Sequence, residues 1–332
     1  SPVLEITTHL LELIQHPGTE QIESFVGGEV KLVSVKAKKD GKLVNRELKS
    51  IKSDLPDIDT FVPTIFRKNK PVVPDGSTVI KENDEVYFLS SEENIDKIVN
   101  ELRDQGDTTS RIMIVGGGRI GLSLAMTLEK HYKVKVLEQD HTKCESIAKD
   151  LSKAIVLKGS GSDEELLRSE NIENIDVFCA LTNDDETNIM SAFLAKKLGA
   201  KKTLIILNNY SYINILPKSF VDLPLSPQRM TVSLVMQHLT SVDMPQEVLL
   251  KMNSGVEALE GVIHFNNDTK DLFGSKYTLL PLPENSVLGS IYRNGKNIIP
   301  SDDLAIERDD HLIVFINGKT DKSQIEKLFK ES

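Results

Sequence analysis

Glycines 116, 118 and 121 stand between the apolar run "IMIV" and the stretch "LSLAMTLEKH". That spacing suits a backbone that must approach a pyrophosphate. The first glycine permits a tight turn, the second clears the approach, and the third lets the next helix lie close on the strand. Unpaired N–H groups at the helix start, aided by the helix dipole, would receive the phosphates. Glu138 closes the next apolar stretch, "VKVLEQD", 22 positions beyond Gly116. A carboxylate there can hold the ribose hydroxyls of NAD or adenosine while repelling a 2'-phosphate, which disfavours NADP. Asp140 either assists Glu138 or caps the helix that follows. Residues 159–163 and 182–188 fall at later strand ends facing the same crevice, so Thr182 and Asn183 are within reach of a nucleotide. Asp184 and Asp185 read as helix-start residues.

The elements that must position these groups alternate. "AIVLKGSGSD", "DVFCALT" and "KTLIILNN" read as strands, with helices over "EELLRSENI" and "DETNIMSAFLAKKLG" between them. Such alternation predicts an α/β fold with a Rossmann-like, doubly wound parallel sheet. Cys179, inside "VFCAL", is expected to be a buried small apolar residue.

On either side of this block the chain repeats itself. "IFRKNKPVVPDGSTVIKENDEVYFL" and "IYRNGKNIIPSDDLAIERDDHLIVF" align without a gap at an offset of 226. Ile65, Arg67, Lys70, Pro74, Ile80 and Asp84 meet identical residues at Ile291, Arg293, Lys296, Pro300, Ile306 and Asp310. Ser-Pro openings precede both copies, "SPVLEITTHLLELI" and "SPQRMTVSLVMQHL", each reading as a helix with proline at its first position. A period this long indicates duplicated domains rather than a solenoid. Each copy reads as a small α+β module ending in a helix, over "SEENIDKIVNELR" and "KTDKSQIEKLFKE". Arg67 and Arg293 are expected as charged residues on hairpin tips, and the pattern PxDxxxIxxxD as a turn, a strand and a second turn. "RDQGDTTS" reads as a linker. The order module, nucleotide block, module predicts that a first nucleotide block once preceded residue 1, so the chain is expected to be a fragment.

Composition narrows the function. Against 40 basic residues stand 50 acidic ones, for a net charge of -10, which opposes sequence-independent binding to nucleic acid or anionic lipid. Apolar runs such as "LIVFI" fall far short of the roughly 20 residues that span a bilayer. With only Cys144 and Cys179 present, neither a disulfide framework nor a zinc site is expected, and reducing cytosol fits. His131, His141, His238, His264 and His311 lack a neighbouring relay. No Tyr-x-x-x-Lys pair stands on a helix after the fourth strand, and there is no nucleophile elbow or Walker lysine. No catalytic residue and no metal ligand is therefore expected.

The stretches "MIVGGGRIGLSLAMTLE", "VKVLEQD" and "KGSGSDEELLRSENIENIDVFCALTNDDETNIMSAFLAKKLGAKK", with the duplicated Ser-Pro modules, resemble the TrkA family of potassium-transport regulators. That family is built from RCK/KTN nucleotide-binding domains, each followed by a TrkA-C domain, and the resemblance covers essentially the whole chain. It implies a first TrkA-C module over 1–105, a nucleotide-binding domain over 109–215 and a second TrkA-C module over 226–332. It implies nucleotide contacts at Gly116, Gly117, Gly118, Arg119, Ile120, Gly121, Glu138, Ser160, Thr182 and Asn183, with NAD(H) as ligand and ATP or ADP as further candidates. It also implies a homo-oligomeric ring, a tetramer of full-length chains, on the cytoplasmic face of the inner membrane beside a TrkH/TrkG-type potassium-translocating subunit. Two positions depart from the family pattern: Ser160 replaces an aspartate, and Ile206 stands where a phosphate-facing arginine is common. These departures keep open a ring scaffold with a vestigial pocket. A nicotinamide-dependent oxidoreductase is the third reading.

Overall fold

The computed structural model describes residues 2–102, 109–217, 219–228, 246–250, 254–318 and 320–330. The chain divides into two units whose boundaries cut across sequence order: Ser1–Pro17 with Thr108–Val235, and Gly18–Asp107 with Met236–Ser332. Most of the "RDQGDTTS" stretch, and most of the second Ser-Pro segment, lie outside the described residues.

The first unit holds a six-stranded sheet in the order Leu223–Leu225, Lys202–Ile206, Val177–Ala180, Arg111–Val115, Lys133–Glu138, Ile155–Lys158. All of its pairings are parallel. Residues alternate across it: Ile112 and Ile114 enter one apolar layer, Met113 and Val115 the other. Helices Arg119–Leu128 and His141–Asp150 cover the first layer with Leu124, Leu128 and Ile147. Helix Asp185–Lys197 covers the second with Ala192 and Ala195. Parallel sheets need both faces covered in this way. The last strand, "LPL", lay beneath sequence reading because Pro224 has no N–H to give, and such a residue is tolerated only at an edge.

The opening helix, Pro2–Gln15, joins this unit, placing Ile6, Leu10 and Ile14 in the layer that holds Ile112 and Leu124. Their spacing of four repeats a single helical face. The helix that heads the first repeat thus packs with the parallel sheet.

The second unit holds two antiparallel sheets. One runs Thr19–Phe25, Val30–Lys36, Glu85–Ser91, Ile65–Arg67, Lys70–Val72, with Thr60–Phe61 also on Glu85–Ser91. The other runs Gln246–Leu249, Val256–Val262, His311–Asn317, Ser286–Arg293, Lys296–Ile298. Corresponding strands occupy corresponding places, as the repeat requires. One face of each contributes to a shared core, in which Phe25, Leu32, Phe66 and Tyr87 meet Val256, Ala258, Ile313 and Phe315. The Tyr87 hydroxyl lies 3.0 Å from the carbonyl of Leu250, across the two sheets. Helices Ile95–Leu102 and Ser323–Phe329 end the two copies, with Ile98 and Leu102, and Ile325 and Phe329, buried.

The repeated arginines are not surface charges at hairpin tips. Arg67 donates from Nε and Nη2 to both oxygens of Asp84 at 2.9 and 2.8 Å, and from Nη2 to the Val79 carbonyl at 2.8 Å. Arg293 does the same to Asp310 at 2.7 and 2.8 Å, and to the Ala305 carbonyl at 2.7 Å. Asp84 and Asp310 are buried, and each also accepts a backbone N–H, from Lys81 and Glu307 respectively. Hydrogen bonds to the partner aspartate hold both guanidinium pKa values above their ordinary value. The stretch between the turns makes isolated bridges, Val79 to Glu47 in the first copy and Ala305 to Lys276 and Ile306 to Phe273 in the second, in place of the expected strand.

A carboxylate also secures the edge strand beside the crevice. Glu129 accepts the N–H groups of Ser152, Lys153 and Ala154 just before Ile155–Lys158. Burial acts to raise its pKa, but the N–H groups of Lys153, Ala154 and Ser152 outweigh it and hold the pKa below the ordinary 4.5.

Two outcomes follow. Asp310→Ala removes the buried carboxylate and leaves Arg293 only the exposed Glu307 as counter-charge, and is expected to lower stability by about 3 kcal/mol, the low end of the scale for breaking a buried pair; urea unfolding measures it. Because the folded pKa of Glu129 is depressed, its stabilisation is complete above the unfolded pKa and disappears as pH falls through the folded one. The stability difference between the parent and Glu129→Gln should therefore shrink between pH 6 and pH 3 in thermal melts.

Candidate nucleotide-binding site

The glycine turn sits where strand Arg111–Val115 meets helix Arg119–Leu128. Gly116 adopts φ +100°, and its N–H donates to the Leu137 carbonyl at 2.9 Å. A side chain there would meet Thr182 at 3.0 Å. A Cβ on Gly121 would lie 2.0 Å from the Gly116 carbonyl oxygen, so strand and helix approach as closely as the fingerprint requires. In front of Gly118, by contrast, an added Cβ would meet nothing within 4 Å. That open side is where backbone can face a ligand. Arg119 is exposed, while Ile120 packs partly onto the core.

Gly118 is the N-cap of its helix and supplies no side-chain acceptor. The first helix-forming bond is that from Leu122 to Gly118, leaving the N–H groups of the first turn without intrahelical acceptors. The other helices that start at this edge of the sheet cap themselves. Asp140 accepts from Lys143 N–H, Asp163 from Leu166, Asp184 from Thr187 and Asn209 from Ser211. Asp140 is thus a cap, its pKa lowered chiefly by the Lys143 N–H. Among the described residues of this edge, the glycine turn is the helix start left open to an anion.

Glu138 lies at the end of strand Lys133–Glu138. Its Oε2 accepts the Gly117 N–H at 2.9 Å and its Oε1 the Asp140 N–H at 3.0 Å. The carboxylate therefore holds the glycine turn in place, and each oxygen keeps a lone pair for a ribose hydroxyl. Ser160 forms a turn, its Oγ accepting from Ser162 N–H at 3.1 Å and its carbonyl from Asp163 N–H at 3.1 Å. Its neighbour Gly161 is required by packing, since a Cβ would lie 2.7 Å from the Val115 methyls.

Thr182 and Asn183 leave strand Val177–Ala180 on the crevice side, with Thr182 against Gly116. Their position depends on Asn188, a residue whose role sequence reading missed. Fully buried, it accepts from Thr182 N–H at 3.0 Å and from the Thr182 hydroxyl at 2.7 Å. Its Nδ2 donates to the carbonyls of Thr182 and Ile206, both at 3.0 Å. One amide thereby ties two strand ends together. Asp185 likewise accepts the N–H groups of Asn208 and Asn209 at 2.8 and 2.7 Å.

Ile206 does not face the crevice: it is buried in the apolar layer with Ile112 and Leu204. The exposed residues at that strand end are Asn208 and Asn209, because the strand stays inside the sheet until Leu207. With Asn183, Asp184, Glu186 and Tyr212 they line an open cavity of about 420 Å³.

Cys179 is buried in the sheet, which pushes its thiol up to about 12. His141 opens its helix and points outward beside Glu145 at 3.5 Å. His238 lies outside the described residues. Among the described residues no group of three or more His, Cys, Asp or Glu is placed to hold a metal, and no helix is long and apolar enough to cross a membrane.

Residues 112–227 match the TrkA-N domain and residues 32–103 the TrkA-C domain. The chain is 38% identical over 330 residues to the Trk system potassium uptake protein TrkA of Halomonas elongata, covering 99% of this chain and 72% of that protein. To the protein of the same name from Vibrio alginolyticus it is 39% identical over 327 residues, covering 98% and 71%. Among solved structures, the GsuK RCK domain superposes with a TM-score of 0.53 at 14% identity, covering 98% of this chain and 68% of that one. The GsuK channel bound to NAD gives 0.52 at 14%, covering 98% and 57%. At such identities these two structures speak to fold alone.

The contact between Gly121 and Gly116 generates an expectation. Gly121→Ala forces backbone apart and should cost about 1–3 kcal/mol, as overpacking does, whereas Gly118→Ala, in open space at φ −68°, should melt within a few degrees of the parent. Differential scanning calorimetry of both variants separates the two roles.

Proposed function

The chain belongs to the TrkA family of Trk system potassium uptake proteins, and on that premise we propose that it is the nucleotide-binding regulatory part of a Trk-type potassium uptake system. Its ligand is NAD(H) or an adenine nucleotide, and the control it exerts on a TrkH/TrkG-type membrane subunit comes from the change in shape that binding favours. The observation that carries this reading is the uncapped helix start at Gly118, with the Glu138 carboxylate on the adjacent strand end.

The residues fit such a ligand. Gly116 to Gly121, with Arg119 and Ile120 on the first turn, offer backbone N–H groups to a pyrophosphate. Glu138 receives ribose hydroxyls. Thr182 and Asn183, fixed by Asn188, form the facing wall, and Ser160 shapes the loop beyond Glu138. The chain supplies binding and orientation only; none of its residues is assigned a chemical step. Residues 1–105 and 226–332 are assigned to TrkA-C modules and 109–215 to the nucleotide domain. The shared core of the two antiparallel sheets favours their acting together.

Regulation requires unequal affinity for two conformations, since equal affinity shifts nothing. In this reading the nucleotide biases one arrangement of a ring of such chains, on the cytoplasmic face of the membrane.

Titration calorimetry with NADH tests the site. Glu138→Gln should weaken binding by about ten- to a hundredfold, the worth of a charge-assisted hydrogen bond. Gly118→Ala should abolish binding by placing a methyl group on the phosphate approach, while keeping the parent's melting behaviour. If both variants bind NADH as the parent does, the crevice is not the receptor.

A further inference from the structure

A group of polar side chains on one face of the second antiparallel sheet is buried without an answer. Glu260 stands directly across from Ile313, Ile313 across from Ser290, and His311 two residues before Ile313 on the same strand. Alternation along a strand puts all of them on the face that joins the shared core with Ile313. There Glu260 Oε2, His311 Nδ1 and Ser290 Oγ are each buried and lack a hydrogen-bond partner. Buried polar atoms of native proteins are nearly always paired, so such a group marks the seat of a water or an ion.

Glu260 and His311 are spaced as ligands rather than as a hydrogen-bonded pair. Glu260 Oε1 lies 3.6 Å from His311 Nδ1, beyond hydrogen-bond reach. Two ligands at about 2.0–2.2 Å from one tetrahedral ion stand roughly 3.3–3.6 Å apart. The carboxylate is held in place by the first repeat, where Oε1 accepts the Val26 N–H at 2.8 Å, and outer contacts of this kind orient metal ligands. Its side chain is 10% exposed and that of His311 36%, so the ring marks the route by which an ion enters from solvent. Imidazole nitrogen selects zinc, copper and nickel over magnesium and calcium, which take oxygen ligands. Among the described residues no third His, Cys, Asp or Glu joins them. The other coordination positions therefore fall to water, and the Ser290 hydroxyl stands on the same face as an acceptor for it.

We propose that Glu260 and His311 bind a divalent transition metal ion of the zinc type, and that the ion strengthens the contact between the two repeats. One Glu260 oxygen holds the turn at Val26, whose φ of +50° needs outside support, while the other holds the ion. A cation there also answers the charge of a carboxylate that is otherwise buried without a close partner. The site belongs to the second repeat alone. At the constant offset of 226, Ser34 and Glu85 stand in the places of Glu260 and His311, so the first repeat has no imidazole to offer.

Thermal melts of the chain, first in EDTA and then with zinc, calcium or magnesium chloride, test the site. Saturating zinc is expected to raise the parent's melting temperature by about 3–6 °C, and calcium or magnesium to leave it unchanged. Glu260→Gln keeps an oxygen for the Val26 N–H and, like His311→Gln, should lose the shift. His141→Gln removes the exposed pair that His141 makes with Glu145 at 3.5 Å and should keep it. No zinc shift in the parent, an equal shift with calcium, or a zinc shift that survives in Glu260→Gln or His311→Gln overturns the site and leaves an ordinary ion pair. If either variant no longer melts cooperatively in EDTA, side-chain nitrogen NMR spectra of the parent decide. Zinc must then move an imidazole resonance that His141→Gln retains, and spectra without such a change overturn the proposal.

Discussion

Every helix that starts at the ligand edge of the parallel sheet carries backbone N–H groups that its own turns cannot satisfy. How those groups are answered organises the first unit. Asp140, Asp163, Asp184 and Asn209 answer four of them from within the chain. Gly118 leaves the fifth to something from outside. The same short polar residue types that make good caps thus also withdraw four positions from competition for phosphate.

The second unit depends on a different interaction, used twice. Arg67 with Asp84, and Arg293 with Asp310, each pin a strand to a loop that makes few ladder bonds of its own. The exposure of the pair differs between copies: the Arg67 side chain is 30% exposed and that of Arg293 is 15%. Duplication has preserved the clamp while letting its surroundings drift. Between the copies, a second polar contact joins that of Tyr87 with Leu250. Glu260 accepts the N–H of Val26 at 2.8 Å, where Val26 adopts φ +50°, a conformation that branched side chains seldom take without outside support.

Much of this was legible in sequence because it is local. A strand running into glycines fixes a turn, and the carboxylate after the next strand follows from the same unit, so Gly116, Gly121 and Glu138 were placed by spacing alone. The clamp was half legible: both partners stood among the identical residues of the repeat, opposite in charge, yet hairpin polarity suggested solvent for the arginines. What escaped was set by tertiary context. Asn188 looks like any polar residue of a helix until two strand ends converge on it. Ile206 was placed at a phosphate-facing position, yet it still pairs with Leu225 inside the sheet, and that neighbouring strand, with a proline in it, left no local pattern to read. No local pattern assigns the opening helix to a sheet that begins at Arg111.

That last feature bears on how the molecule is made. Ile6, Leu10 and Ile14 leave the ribosome before the helix and strands of the layer they join, which run from Ile112 to Ile206, and before Lys202, which binds the Leu13 carbonyl. Meanwhile the intervening strands, from Thr19 to Ser91, can pair among themselves. The helix therefore closes a long loop late, which makes its docking slow and entropically costly relative to local hairpins.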